Sequence, residues 1–160
     1  MALEIERKFL VVAEGWRGYR GVDFRQNYLS TDPWRTVRVR IAGPKAFLTV
    51  KGKTEGLTKL EFEYEIPVDD AEQLMLLCQP APIEKIRYRV PYEGFIWEVD
   101  VFHGINKGLI IAEIELDYET QPFAKPDWIG KEVTFDRRYS NSNLILNPYS
   151  RWSEFAPSIG

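Results

Sequence analysis

Residues 60–66 read LEFEYEI, with Glu61, Glu63 and Glu65 alternating against Phe62, Tyr64 and Ile66. Side chains two apart on a strand point the same way, so this segment is a β-strand with one acidic and one apolar face. The same period extends in both directions. Upstream, Leu3–Val11 alternates through Glu4, Glu6 and Lys8, and Phe24–Ser30 is a less regular strand. Thr36–Ile41 places Arg38 and Arg40 opposite Val37, Val39 and Ile41, and Ala46–Lys51 follows. Downstream, Ile83–Val90 sets Lys85, Arg87 and Arg89 against Ile86, Tyr88 and Val90. Phe95–Phe102 carries Glu98 and Asp100, and Leu109–Tyr118 carries Glu113 and Glu115.

About eight strands result, with few helical signals. Asp69, with Glu72 three residues on, marks a capping-box-like start for a helix over Asp70–Cys78, stopped before Pro80 and Pro82. Ser140–Leu146 reads as a second, shorter helix. Tyr149, Trp152 and Phe155 of the C-terminal segment are expected to pack back on the body, since exposed together they would form an apolar patch. No linker or low-complexity stretch interrupts the chain. The expectation is one domain over residues 1–160, mainly β (α+β), with a few peripheral helices.

Charges of one sign recur in pairs on strand after strand. Scattered on an open sheet they would form a solvated face laced with cross-strand ion pairs. Same-sign pairs two apart repel unless something of opposite sign lies between them. Arginine is favoured in the runs VRVR and KIRYR, and its planar fork suits phosphate oxygens. A set of about eight antiparallel strands can also close, turning the charged face into a lumen. Such a lumen suits an anionic, metal-bound ligand: bases hold the anion and acids hold the cations that bridge to it.

Composition narrows the options. The 160 residues hold 21 Lys+Arg and 24 Asp+Glu, a formal net charge of -3, too little positive charge for a general nucleic-acid binder. One cysteine, Cys78, excludes an intrachain disulfide, and one histidine, His103, excludes every two-histidine metal motif. A metal here must be held by carboxylates, which points to Mg²⁺ or Mn²⁺. No apolar run is long enough to span a membrane, and MALEIERKFL lacks the apolar core of a signal peptide, so a cytoplasmic setting is expected.

The opening EIERKFL resembles the Glu-x-Glu-x-Lys signature of the CYTH superfamily, the triphosphate tunnel metalloenzymes. The likeness continues in order through VRVR (37–40), LTVKGK (48–53), LEFEYEI (60–66), EKIRYR (84–89), WEVDVF (97–102), IAEIEL (111–116) and EVTFDRRYSN (132–141). It covers nearly the whole chain, and the compact bacterial inorganic triphosphatases are the members it is most similar to. The resemblance implies an eight-stranded closed antiparallel β-barrel that binds a triphosphate along its axis with a divalent metal. It implies metal-binding acids at Glu4, Glu6, Glu113 and Glu115, supported by Glu61 and Glu63. It implies phosphate-binding bases at Lys8, Arg38, Arg40, Lys51, Lys85 and Arg87, with Arg138 a further member.

Phosphoryl transfer needs positioning and charge neutralisation above all. If a general base is required, Lys85 and Lys8 are the candidates, because a lysine crowded by other cations has a depressed pKa. Inorganic tripolyphosphate is the expected substrate, since no motif calls for a nucleobase or thiazole. Nucleoside and thiamine triphosphatases, a class-four adenylate cyclase and a non-catalytic polyphosphate-binding module are the alternatives. The abundance of acids speaks against the last. Gly52–Lys53–Thr54 mimics the end of a P-loop, but Phe47 stands where that motif needs glycine, so a hairpin turn is expected. Trp34 and Tyr28 are read as packing residues near the mouth, with nucleobase stacking as the alternative. His103 is read as a turn residue and Cys78 as core.

Overall fold

The computed structural model describes residues 2–152; Phe155 lies outside them. Among the described residues there are nine strands: β1 (Leu3–Val11), β2 (Gly21–Ser30), β3 (Arg35–Ala42), β4 (Lys45–Gly52), β5 (Thr58–Ile66), β6 (Ile83–Tyr92), β7 (Phe95–Phe102), β8 (Ile110–Glu115) and β9 (Ile129–Glu132). The helices are α1 (Val68–Met75) and α2 (Asn141–Leu146). All pairings are antiparallel. The order β5-β4-β3-β2-β6-β7-β8-β1 closes where Leu3–Ile5 of β1 meets Thr58–Leu60 of β5. Eight strands therefore form a closed barrel, as expected.

Strand β9 is an addition the alternation did not reveal. It lies on the edge of β1 that β5 occupies further back, pairing with Phe9 and Val11. Outside the wall, the Arg7 guanidinium grips both Glu132 oxygens at 2.8 Å and ties the two strands together.

The register turns one parity of every barrel strand inward. Arg38 stands opposite Thr49, Thr49 opposite Glu63, Arg87 opposite Asp100, Glu98 opposite Glu113, and Lys8 opposite Glu113. The other parity is largely apolar and faces out, so the main hydrophobic clusters lie outside the barrel. Phe9, Trp97, Val99, Ala112 and Ile114 are buried under Trp16, Phe123 and Trp128, which arrive from loops. Phe9 and Phe123 meet the Trp97 ring edge-on at 5.5 and 5.8 Å. Opposite, Val39 and Ala46 are covered by Ala71 of α1. At one end the inward positions become apolar, and Leu144 of α2 packs on Ile83, Phe102 and Ile111. Tyr149 and Trp152 pack against the same cluster, as expected for the C-terminal segment.

Several boundaries differ from expectation, β2 for instance beginning at Gly21 rather than Phe24, and two of the differences have a clear physical cause. Helix α1 begins at Val68 behind Pro67, with no side-chain cap, so Asp69 lies in the first turn rather than at the cap. There it complements the helix dipole. Past Met75 the chain tightens into i→i+3 bonds that reach Cys78, because Pro80 forbids a longer helix. Strand β8 stops at Glu115; Leu116 still bonds Ile5, but the Asp117 amide turns to the Gln121 side chain and Asp117 is exposed.

Candidate active site

The lumen is a cavity of about 680 Å³ lined by side chains of both signs. Lining residues include Glu4, Glu6, Lys8, Arg38, Arg40, Lys51, Glu61, Glu63, Arg87, Glu113 and Glu115. These come from six strands, and the two-residue period explains their convergence. Lys85 lies beneath them, 1% exposed.

The cations and anions are interleaved. Lys51 Nζ donates to Glu4 at 2.9 Å, and Lys59 Nζ stands 3.7 Å away on its other oxygen. Arg38 reaches Thr49 at 3.2 Å and Glu63 at 3.4 Å. Asp100, 1% exposed, accepts from Lys85 Nζ and Arg87 Nε at 2.7 Å and from Arg87 Nη2 at 2.8 Å. Lys85 also donates to Asn141 Oδ1 at 3.1 Å, linking β6 to α2. Lys8 Nζ donates to the Tyr139 carbonyl. The Phe24 ring lies under three cations, with Arg40, Arg87 and Lys85 at 4.7, 4.9 and 5.9 Å from its centroid.

Crowding perturbs the acids. Withdrawal from water, with repulsion from Glu113 and Glu4, holds the Glu6 carboxyl well above the usual range. Burial and a hydrogen bond shared with Glu4 push Glu61 to about 7. Burial, with Glu4 and Glu98, pushes Glu115 to about 6. Glu4 goes the other way: burial opposes its charge, but Lys51, Glu61 and Lys59 outweigh it and hold Glu4 at about 2. Among the bases, burial reinforced by Arg87 and Arg40 outweighs Asp100 and draws Lys85 down to about 7.

These shifts predict a pH dependence. For Glu61 and Glu115 the folded pKa lies above the ordinary 4.5. Their contribution is fully present below that value and is lost as pH rises through about 6 and 7. For Lys85 the folded pKa lies below its ordinary 10.5, so its penalty is full below about 7 and is relieved above it. The metal-free melting temperature should fall from pH 4.5 to 7, with Glu6, also raised, adding to the loss as pH rises. A divalent cation should flatten the fall by neutralising the carboxylates. Thermal melts across this range, with and without Mg²⁺, check it; a flat metal-free profile contradicts it.

The donor set fits a hard divalent cation. Glu4, Glu6, Glu61, Glu113 and Glu115 all border one cavity, and three of them are raised by burial first and by neighbouring carboxylates second, both of which a bound cation would offset. As placed, no three Asp, Glu, His or Cys side chains among the described residues stand at common ligating distance, and Glu4 is engaged by lysines instead.

Of the residues expected from sequence, the structure brings together Glu4, Glu6, Lys8, Arg38, Arg40, Lys51, Glu61, Glu63, Arg87, Glu113 and Glu115, with Lys85 below. Arg138 is placed elsewhere: it forks onto Asp136 at 2.7 Å and lies against Tyr139 and Trp152. Its neighbour Arg137 lines the cavity instead. Sequence reasoning also missed the bracing role of Asp100. Its parity marked it as a lumen acid, but only the register pairs it with Arg87. Tyr28 is 5% exposed and borders the cavity, while Lys53 covers one face of Trp34 at 4.1 Å. Gly52 ends β4, and Lys53 and Thr54 lead into the tight turn Glu55–Thr58 that joins β4 to β5, with no P-loop helix behind them.

Comparison with known proteins agrees with this architecture. The CYTH domain family matches residues 2–144. An inorganic triphosphatase of Acetivibrio thermocellus is 51% identical over 156 residues, covering 96% of this chain and 100% of that protein. An inorganic triphosphatase of Nitrosomonas europaea is 38% identical over 150 residues, covering 90% and 97%. A solved inorganic triphosphatase structure superposes with a TM-score of 0.66 at 37% identity, covering 91% of this chain and 96% of that one. With a closed barrel, an interleaved charged lumen and a match over nearly its whole length, the chain belongs to the CYTH domain family.

Proposed function

We propose that the protein hydrolyses inorganic tripolyphosphate to pyrophosphate and orthophosphate within the barrel, with Mg²⁺ or Mn²⁺. The observation that carries this reading is the lumen itself, where Arg38, Arg40, Lys51, Lys8 and Arg87 face the same cavity as Glu4, Glu6, Glu61, Glu113 and Glu115. A pure anion binder gains nothing from those acids, whereas a metal–polyphosphate complex uses both sets. Relatives named inorganic triphosphatase at 51% and 38% identity support it.

In this reading Arg38, Arg40, Lys51 and Arg87 hold the phosphate oxygens, with Lys8 beside Glu113. Glu4, Glu6, Glu113 and Glu115 would hold the metal, backed by Glu61 and Glu63. When bound, a divalent ion supplies charge neutralisation for phosphate oxygens. A water oxygen attacks the terminal phosphorus, the bond to the pyrophosphate oxygen breaks, and the water proton passes to a base. Lys8, which lines the cavity, and Lys85, drawn down to about 7 but buried beneath it against Asp100 and Asn141, are the candidates for that base. Arg138, turned toward Asp136, would have to swing away to join the phosphate-binding set.

A phosphate-release panel over tripolyphosphate, ATP, GTP and thiamine triphosphate, with each metal and with EDTA, tests the proposal. Tripolyphosphate should be cleaved fastest, and EDTA should stop the reaction. Equal rates on all substrates overturn inorganic specificity. Pyrophosphate and cyclic AMP from ATP would make the protein a cyclase.

A further inference from the structure

Position 26 lies on the inward parity of β2, between Phe24 and Tyr28 and opposite Arg40. Gln26 is fully buried. Its Oε1 accepts from Arg40 Nε at 2.8 Å, which fixes the orientation of the amide. Its Nε2 then faces no acceptor among the described residues. A buried donor without a partner is rare in folded proteins and marks a place where a ligand or water completes the set.

The identity of this residue matters for charge. Arg38 contacts Glu63, Lys51 contacts Glu4, and Lys85 and Arg87 share Asp100. Arg40 has no carboxylate contact among the described residues; its hydrogen-bond partner is a neutral amide, and its guanidinium rests over Phe24. Burial, Arg38 and Arg87 all oppose its charge. A glutamate at position 26 would cancel that charge. Glutamine aims the fork and leaves the charge for an incoming anion.

We propose that Gln26 is a positioning and specificity residue for the polyphosphate: from behind the cavity wall it orients Arg40, which lines the lumen, without neutralising it. This rests on the function proposed above. The test uses Gln26→Glu and Gln26→Met in the full chain, reading KM, kcat and melting temperature with tripolyphosphate and Mg²⁺. Gln26→Glu should raise KM on the order of tenfold, the loss of a charge-assisted contact, with a smaller change in kcat. Its melting temperature should stay at or above wild type, because the new carboxylate pairs with Arg40. Gln26→Met should also raise KM, and adding Arg40→Met should then cost less than it does in wild type. Gln26→Glu with wild-type KM overturns the inference, as does a parallel fall of kcat and melting temperature at constant KM. If Gln26→Glu fails to fold, Gln26→Met decides on the same KM criterion. A wild type that neither binds nor cleaves tripolyphosphate overturns the function itself, a result distinguishable from failure at position 26 alone.

Discussion

Replacing Glu6 by Gln is expected to raise the melting temperature of the metal-free protein and to cut kcat/KM for tripolyphosphate roughly a thousandfold. The two effects have one origin. Glu6 is crowded by Glu113 and Glu4 and held well above the usual carboxylate range by burial and their repulsion. The amide keeps the shape and removes the repulsion, so the fold gains. It also removes one of the acids proposed to hold the metal, so the reaction loses. Active sites commonly trade stability for function in this way. Paired melts and steady-state kinetics check it; a lower melting temperature with retained turnover contradicts both halves.

Asp100→Ala should have the largest effect on stability. Asp100 is 1% exposed and is the acid that braces both Lys85 and Arg87. Its loss leaves Lys85, withdrawn from water, with only the neutral Asn141 amide, and Arg87 with only the longer Glu98 contact at 3.4 Å. Breaking such a buried set typically costs about 3–5 kcal/mol. For a chain of this size that is a fall of roughly 10 °C or more in melting temperature. Chemical denaturation should show a lower midpoint. A variant that melts within a degree or two of wild type would mean that Asp100 does not hold the cations in place.

The wall of the barrel was legible because most strands keep a strict alternation of charge and apolar side chains, from Glu4–Glu6–Lys8 to Glu113–Glu115. Closure was not in the period itself; it depends on Leu3–Ile5 meeting Thr58–Leu60, a long-range pairing that local pattern cannot state. Strand β9 was hidden because its sequence, IGKE, has no alternating pattern and is held by backbone bonds and the Arg7–Glu132 fork. Arg137 and Arg138 are adjacent in sequence but are sent different ways by a 3-10 turn. There the Asp136 side chain caps the Arg138 amide and grips its guanidinium. Gln26 carries no charge and so stands outside the alternating charge pattern; only the register sets it opposite Arg40.

The location of the apolar clusters bears on how this scaffold can change over evolutionary time. In most barrels of this size the interior holds the fold together, and altering it risks collapse. Here Phe9, Trp97, Val99 and Ile114 do much of that work on the outer surface of the wall, under the loops that carry Trp16, Phe123 and Trp128. The side chains that line the open cavity are thereby released from most of the packing duty, the buried Asp100–Lys85–Arg87 set beneath them excepted. Substitutions there can accumulate and re-tune which anion is accepted while the outer layer keeps the chain folded.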